Sequence, residues 1–246
     1  MQLINLKETD STNKYLLDNA AMYADEPLTI AIADYQTAGR GMGTNTWESE
    51  PGKNLLFSML IHPDWLPIRE QFLLSMAEAL ALRQAIEEEM QSEDVTIKWP
   101  NDIYYKDRKI SGTRIDLNIM SGKMQDFVLG TGINVNQKTF HSDAPNPVSM
   151  YQITGKEHSV KHLLNRIVEL FNSYFETLLS LNGKEVIVEQ YHKHLYRRHG
   201  EHTYEDVNGV FKAELSRVKS NGIMILRRSD GTLSEYVFKE VKFVLD

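Results

Sequence analysis

The sequence contains no cysteine. Disulfides, thiolate catalysis and cysteine-ligated zinc are therefore excluded. The same absence fits a reducing compartment, so a cytoplasmic location is expected. No apolar run approaches the roughly 20 residues that cross a bilayer, and no membrane partner is expected. The start, MQLINLKETDS, lacks the basic segment and apolar core of a signal peptide. Positive charge is scarce: 27 Lys and Arg face 34 Asp and Glu, for a net charge of −7. Such a chain is a poor electrostatic match for nucleic acid, and none is expected as a partner. Internal repeats and low-complexity linkers are missing too. What remains is ordinary for a globular protein, 41% hydrophobic and 25% charged over 246 residues. That length suits one large domain with a small appendage, or two domains.

Periodicity predicts strands over residues 2–6, 28–34, 54–62, 95–97, 113–118 and 126–136. The last two are joined by a hairpin signal, Met120-Ser121-Gly122-Lys123. Helices are predicted over 14–23, 69–90, 160–181 and 185–196, with a short helix and turn over 148–155. The helix over 69–90 reads as amphipathic, with the acidic triplet 87–89 as a solvated face. His192, His194, His199 and His202 cluster in sequence, but helical geometry turns His192 and His194 about 200° apart, and zinc is not expected. Beyond residue 200 the pattern changes to short strands over 210–218, 222–227, 234–239 and 241–245. Asn208-Gly209, Asn221-Gly222 and Asp230-Gly231 supply the turns between them.

The richest stretch runs from Lys98 to Gly112, KWPNDIYYKDRKISG. Pro100 fixes its own φ and biases Trp99 towards extended backbone. Asn101 and Asp102 are thereby held at a strand end, where polar side chains can face a cleft, and Lys98 and Lys109 flank the segment. Earlier, Asp10-Ser11-Thr12-Asn13 offers N-cap residues, whose hydroxyls and nearby N–H groups suit either capping or a polar ligand. The strand over 28–34 leads to Gln36 and the loop Gly39-Arg40-Gly41-Met42-Gly43-Thr44-Asn45-Thr46-Trp47. Its three glycines in five residues let backbone approach a ligand closely. A dinucleotide fingerprint would need glycine at position 44, where threonine stands, and no helix pattern follows directly. Gly130-Thr131-Gly132-Ile133-Asn134 puts two glycines into a strand, which either weakens it or makes room for a ligand.

In this order the motifs resemble those of biotin–protein ligases. That resemblance implies an α+β fold, a mixed sheet flanked by helices and similar to class II synthetase catalytic domains. It implies a catalytic domain over 1–200 and a small SH3-like barrel over 201–246, which the ending YVFKEVKF also resembles. It assigns biotin to Ser11, Thr12, Asn13, Gln36, Gly39, Arg40, Gly41, Lys109, Gly112, Gly130 and Gly132. It assigns the nucleotide to Arg40, Trp47, Asn101, Lys109 and Asn134. Lys109, Arg40 and Asp102 are the implied catalytic groups, with Asp102 either a metal ligand or a base. The implied reaction uses ATP, biotin and Mg²⁺ to make biotinyl-AMP, then biotinylates a lysine of the biotin carboxyl carrier protein of a biotin-dependent carboxylase.

One departure stands out. Met42 replaces the second arginine of the family's usual loop, which puts retention of the adenylate in doubt, with Lys53 as a candidate substitute. Lipoate–protein ligase shares the two-step logic, but its substrate has no ureido ring to engage Ser11 and Thr12. A biotin-sensing repressor needs a DNA-binding domain ahead of Ser11, and with Ser11 already assigned to biotin none is expected. Monomer and homodimer both stay open.

Overall fold

The computed structural model describes residues 1–41, 43, 45–142 and 144–244. In chain order the elements are β1 (Gln2–Thr9), α1 (Thr12–Asp18), β2 (Thr29–Gln36), β3 (Leu55–Ile61), α2 (Phe72–Met90), β4 (Val95–Lys98), β5 (Asp102–Tyr105), β6 (Arg108–Met120) and β7 (Lys123–Ile133). They continue with α3 (Met150–Thr154), α4 (Val160–Leu179), α5 (Gly183–Lys193), β8 (Glu201–Asp206), β9 (Gly209–Val218), β10 (Met224–Arg228), β11 (Leu233–Tyr236) and β12 (Lys242–Phe243). The chain divides into two compact units, each assembled from separated segments.

The first unit comprises Met1–Ile68, Glu88–Ser92 and Arg108–Arg166. Its sheet runs β1-β2-β3-β7-β6. Only β1 and β2 pair in parallel, so the sheet is mixed. The β6–β7 turn places Ser121 and Gly122 at φ 51° and 76°, the left-handed pair that a two-residue hairpin turn requires. Helix α1 lays Leu16 on Ala31, Leu60 and Val128, and Ala20 and Tyr23 of the following turn extend this cluster. The predicted helix over 14–23 is thus shorter: Asn19, at φ −115°, ends it, and a 3₁₀ turn completes the run. Strand β6 begins before the expected residue 113 and takes in Lys109–Gly112. The acidic triplet is not simply solvated: within this unit Glu88 pairs with Arg166 at 2.7 Å and Glu89 with His158 at 2.9 Å.

The second unit comprises Arg69–Glu87, Glu93–Asp107 and Ile167–Asp246. Helix α2 departs from the amphipathic expectation, because every residue of 73–83 is buried. Four alanines, at 77, 79, 81 and 85, spread small apolar surface round the helix and leave no polar stripe to face water. The charge this buries at Arg83 is satisfied by the Val95 carbonyl at 3.1 Å and by an ion pair with Glu87. The C-terminal residues form a five-stranded antiparallel sheet, ordered β11-β10-β9-β8-β12. Its turns fall at the three predicted glycines. Strand β8 was not expected, since EHTYED carries no apolar alternation and fully buries only Tyr204. The last predicted strand shrinks to β12, and Leu245 lies outside the described residues. His192 accepts the Val218 N–H at 2.8 Å, and burial lowers its pKa.

Candidate active site

Antiparallel register aligns residues across the first unit's sheet. Ser58, Gly130 and Arg114 form one row; Leu56, Gly132 and Gly112 form the next. Alternation puts these on the face that also carries Leu60 and Val128, the face covered by α1. Beyond the apolar patch this face turns small and polar. A Cβ on Gly130 would fall 1.6 Å from Asn13 Oδ1, and one on Gly132 would fall 2.3 Å from Trp47 Cε2. The glycines therefore make room for the Asn13 amide and the Trp47 indole.

Around Asn13 the polar groups close into a cluster. Gln36 Oε1 accepts from Thr12 N at 2.8 Å and lies 3.0 Å from Thr12 Oγ1. Ser58 Oγ lies 2.6 Å from Thr12 Oγ1 and 2.5 Å from Asn13 Oδ1. Asn13 Oδ1 can only accept, so the Ser58 proton points to it. Asn13 Nδ2 donates to Asp116 Oδ2 at 2.8 Å and to the Arg114 carbonyl at 3.3 Å. Arg114 grips Asp116 through both carboxylate oxygens, at 2.8 and 2.7 Å. Burial opposes ionisation of Asp116. Hydrogen bonds from Arg114 and Asn13, and the charges of Arg114 and Arg40, nevertheless hold its carboxyl below the usual range. Ser11 stands apart as the α1 cap, its hydroxyl 3.5 Å from Lys14 N.

The Gly39–Trp47 segment folds back on itself. Gly41 N donates to Asn45 O at 2.8 Å, Trp47 N to Gly39 O at 3.0 Å, and Arg40 bridges Thr46. Arg114 Nη1 ties this arm to the sheet through the Gly41 carbonyl at 3.1 Å. Gly39 admits the arm's return, since a Cβ there would stand 2.7 Å from the Trp47 carbonyl. Arg40 is exposed. Lys109 Nζ sits 5.9 Å from the centre of the Trp47 ring, within cation–π reach. Trp47 Nε1 is buried and meets no acceptor among the described residues. Asn134 is buried, and its backbone joins Ile110 and Met150 at 2.9 and 3.0 Å. Met42, where the sequence departs from the resemblance, lies outside the described residues.

Thr12, Asn13, Gln36, Gly39, Arg40, Gly41, Trp47, Lys109, Gly112, Gly130, Gly132 and Asn134 thus belong to one unit. Asn101 and Asp102 belong to the other. There the Trp99–Pro100 peptide is cis, and Lys98 pairs with Asp102 across the β4–β5 turn. The turn is held by Tyr191, whose hydroxyl donates to the Pro100 carbonyl at 2.6 Å, and by Trp99 Nε1, which donates to the Gly222 carbonyl at 2.9 Å. Burial lowers the Lys98 pKa, against the pull of Asp102.

Residues 6–134 match the biotin/lipoate A/B protein ligase family. The chain belongs to that family. Among its relatives is the bifunctional ligase/repressor BirA of Bacillus subtilis, 26% identical over 94% of this chain and 70% of the relative. Another is the biotin–[acetyl-CoA-carboxylase] ligase of Mycobacterium tuberculosis, 31% identical over 62% of this chain and 56% of that protein. A solved structure of the biotin protein ligase from Aquifex aeolicus with biotin and ATP superposes with a TM-score of 0.79 at 25% identity, covering 99% of both chains. Within this family setting, three residues of the cluster escaped the sequence reading. Ser58 is hidden in the apolar run NLLFSMLIH, where a lone serine was the only signal. Arg114 and Asp116 sit two apart on β6, a spacing that puts opposite charges on one face.

Proposed function

We propose that this chain is an ATP-dependent biotin–[biotin carboxyl carrier protein] ligase. One observation carries the proposal. Within one unit, Asn13 of the Thr12–Asn13–Gln36–Ser58 cluster, suited to a ureido ring, stands over Gly130, and Trp47 of the Trp47–Lys109 pair, suited to a nucleotide and an anion, stands over the neighbouring Gly132. In the first step a biotin carboxylate oxygen attacks the α-phosphorus of ATP. The new P–O bond yields biotinyl-AMP, and pyrophosphate leaves. In the second, the amine of the carrier lysine attacks the acyl carbon, a C–N bond forms, and AMP leaves as the amine loses its proton. Neither step needs an enzyme nucleophile. The enzyme orients two anions and neutralises them. Lys109 acts as a point charge between carboxylate and α-phosphate, while exposed Arg40 closes over the phosphate with its planar fork.

Among the described residues no cluster of three or more acidic or histidine side chains is built to hold a metal. Mg²⁺ would enter with the ATP substrate, carried mainly by phosphates and water, with Asp102 as its candidate protein ligand. Through the KWPND motif Asn101 is assigned to the nucleotide, and Asp102 either to the metal or to the proton of the carrier lysine. The proposal also takes residues 1–200 as the catalytic domain, 201–246 as an SH3-like domain, and the cytoplasm as the place of reaction, consistent with a cysteine-free chain. Biotin-dependent ATP–pyrophosphate exchange, compared with the same assay on lipoate, tests the reading. Exchange with lipoate and none with biotin would overturn it.

A further inference from the structure

Glu48 follows Trp47 directly; its side chain is half-buried, and its carboxylate is turned to the loop after β7. Oε1 and Oε2 accept the His141 N–H at 2.9 and 3.0 Å, and Oε2 accepts the Ser142 N–H at 2.7 Å. Oε1 also accepts from Gln137 Nε2 at 3.1 Å. Gln137 is completely buried; its Oε1 takes the Asn54 amide at 2.6 Å and the Glu50 N–H at 3.1 Å. Asn54 Oδ1 in turn accepts the Val135 N–H at 3.0 Å. The far end of the same loop is bonded to the Lys109 backbone: Lys109 N donates to Asn146 O at 2.8 Å, and Val148 N to Lys109 O at 2.9 Å. The loop that leaves β7 is thus fastened beside Trp47 at one end and beside Lys109 at the other. Burial works against the Glu48 charge, yet the two N–H donors hold its carboxyl below the usual range.

We propose that Glu48 is a positioning residue, a latch by which the loop after β7 and the Trp47 arm keep one geometry for the nucleotide. The inference rests on the ligase reading for the identity of that nucleotide. Three charge-assisted contacts on one carboxylate make the two segments move together. None of them is shared with the Thr12–Gln36–Ser58 cluster, so the biotin pocket is spared when the latch opens.

Glu48→Gln keeps the shape but discards the charge and turns a donor towards a donor. Ser142→Pro removes one N–H from the other side. Each is expected to raise the KM for ATP roughly tenfold in pyrophosphate exchange, with the KM for biotin within about twofold. Each should also speed hydrogen exchange at His141 N by a comparable factor, with the melting temperature kept. The double variant should be no worse than the worse single one, since both cut the same contact. Unchanged exchange at His141, or KM values for ATP and biotin that rise in step, would overturn the latch. Absence of biotin-dependent exchange in the unsubstituted protein would instead sink the ligase reading, and the latch is then still judged on amide exchange.

Discussion

Replacing Asp116 by asparagine probes the hub of the candidate site. The carboxylate takes two hydrogen bonds from Arg114 and one from Asn13, all between 2.7 and 2.8 Å. An asparagine keeps one acceptor oxygen and turns an NH₂ group towards a donor, either Arg114 or Asn13. The pair is mostly covered, with side-chain exposures of 28% for Arg114 and 22% for Asp116. An exposed pair contributes about 0–1 kcal/mol, and breaking a fully buried one costs about 3–5 kcal/mol. An intermediate loss of about 2–3 kcal/mol is expected for Asp116→Asn at pH 7. The pH dependence has a definite sign. The folded-state pKa of Asp116 is depressed, so its contribution is complete above the unfolded carboxylate value of about 3.9 and is lost as pH falls through the folded value. Urea unfolding of both proteins at several pH values reads this directly. The difference should hold steady down to about pH 5 and narrow below about 4. A gap under about 0.5 kcal/mol at pH 7, the ordinary range for a surface substitution, or one that fails to narrow in acid, would refute the argument.

Lys109→Ala should lower the rate of biotin-dependent pyrophosphate exchange by about 10²–10³, the usual worth of one preorganised electrostatic contact; near-native exchange in a folded variant would return Lys109 to the surface. Gln36→Ala removes the acceptor of Thr12 N and should weaken biotin binding, measured by calorimetry, by about 1–3 kcal/mol while ATP binding stays. Ser11→Ala should weaken biotin binding similarly if its hydroxyl reads the ligand. Its 3.5 Å cap bond is long, so its stability cost should sit near the low end, about 0.5 kcal/mol, and unchanged biotin affinity would leave Ser11 with capping alone.

Much of the fold was legible because its signals are local. The turn glycines at 122, 209, 222 and 231 all adopt positive φ, and each stood in a dipeptide whose backbone demand is readable from sequence. Helix α2 was misread for the opposite reason: burial on every side is a property of neighbours, and periodicity reports only one face. At the candidate site, ordered motifs singled out Thr12, Gln36, Trp47 and Lys109, which the fold gathers into one unit. Ser58 and Asp116 could not be found that way, since their meaning depends on strand register between distant segments. The same holds for the glycines of β7. Sequence suggested space for a ligand; the fold adds that Asn13 and Trp47 stand over them.

The polar cluster also bears on how the chain is made. Asn13 bonds to Asp116 across 103 positions and to Ser58 across 45, and α1 packs on Val128 of β7. During synthesis at about 5–20 residues per second, the N-terminal helix therefore waits some 5–20 s for the strands that cover it. Over that interval Leu16 and Leu60 have no complete partner surface, which makes the early nascent chain a natural client for a chaperone. No ligand can shorten the wait, because the groups that would bind it are not yet side by side.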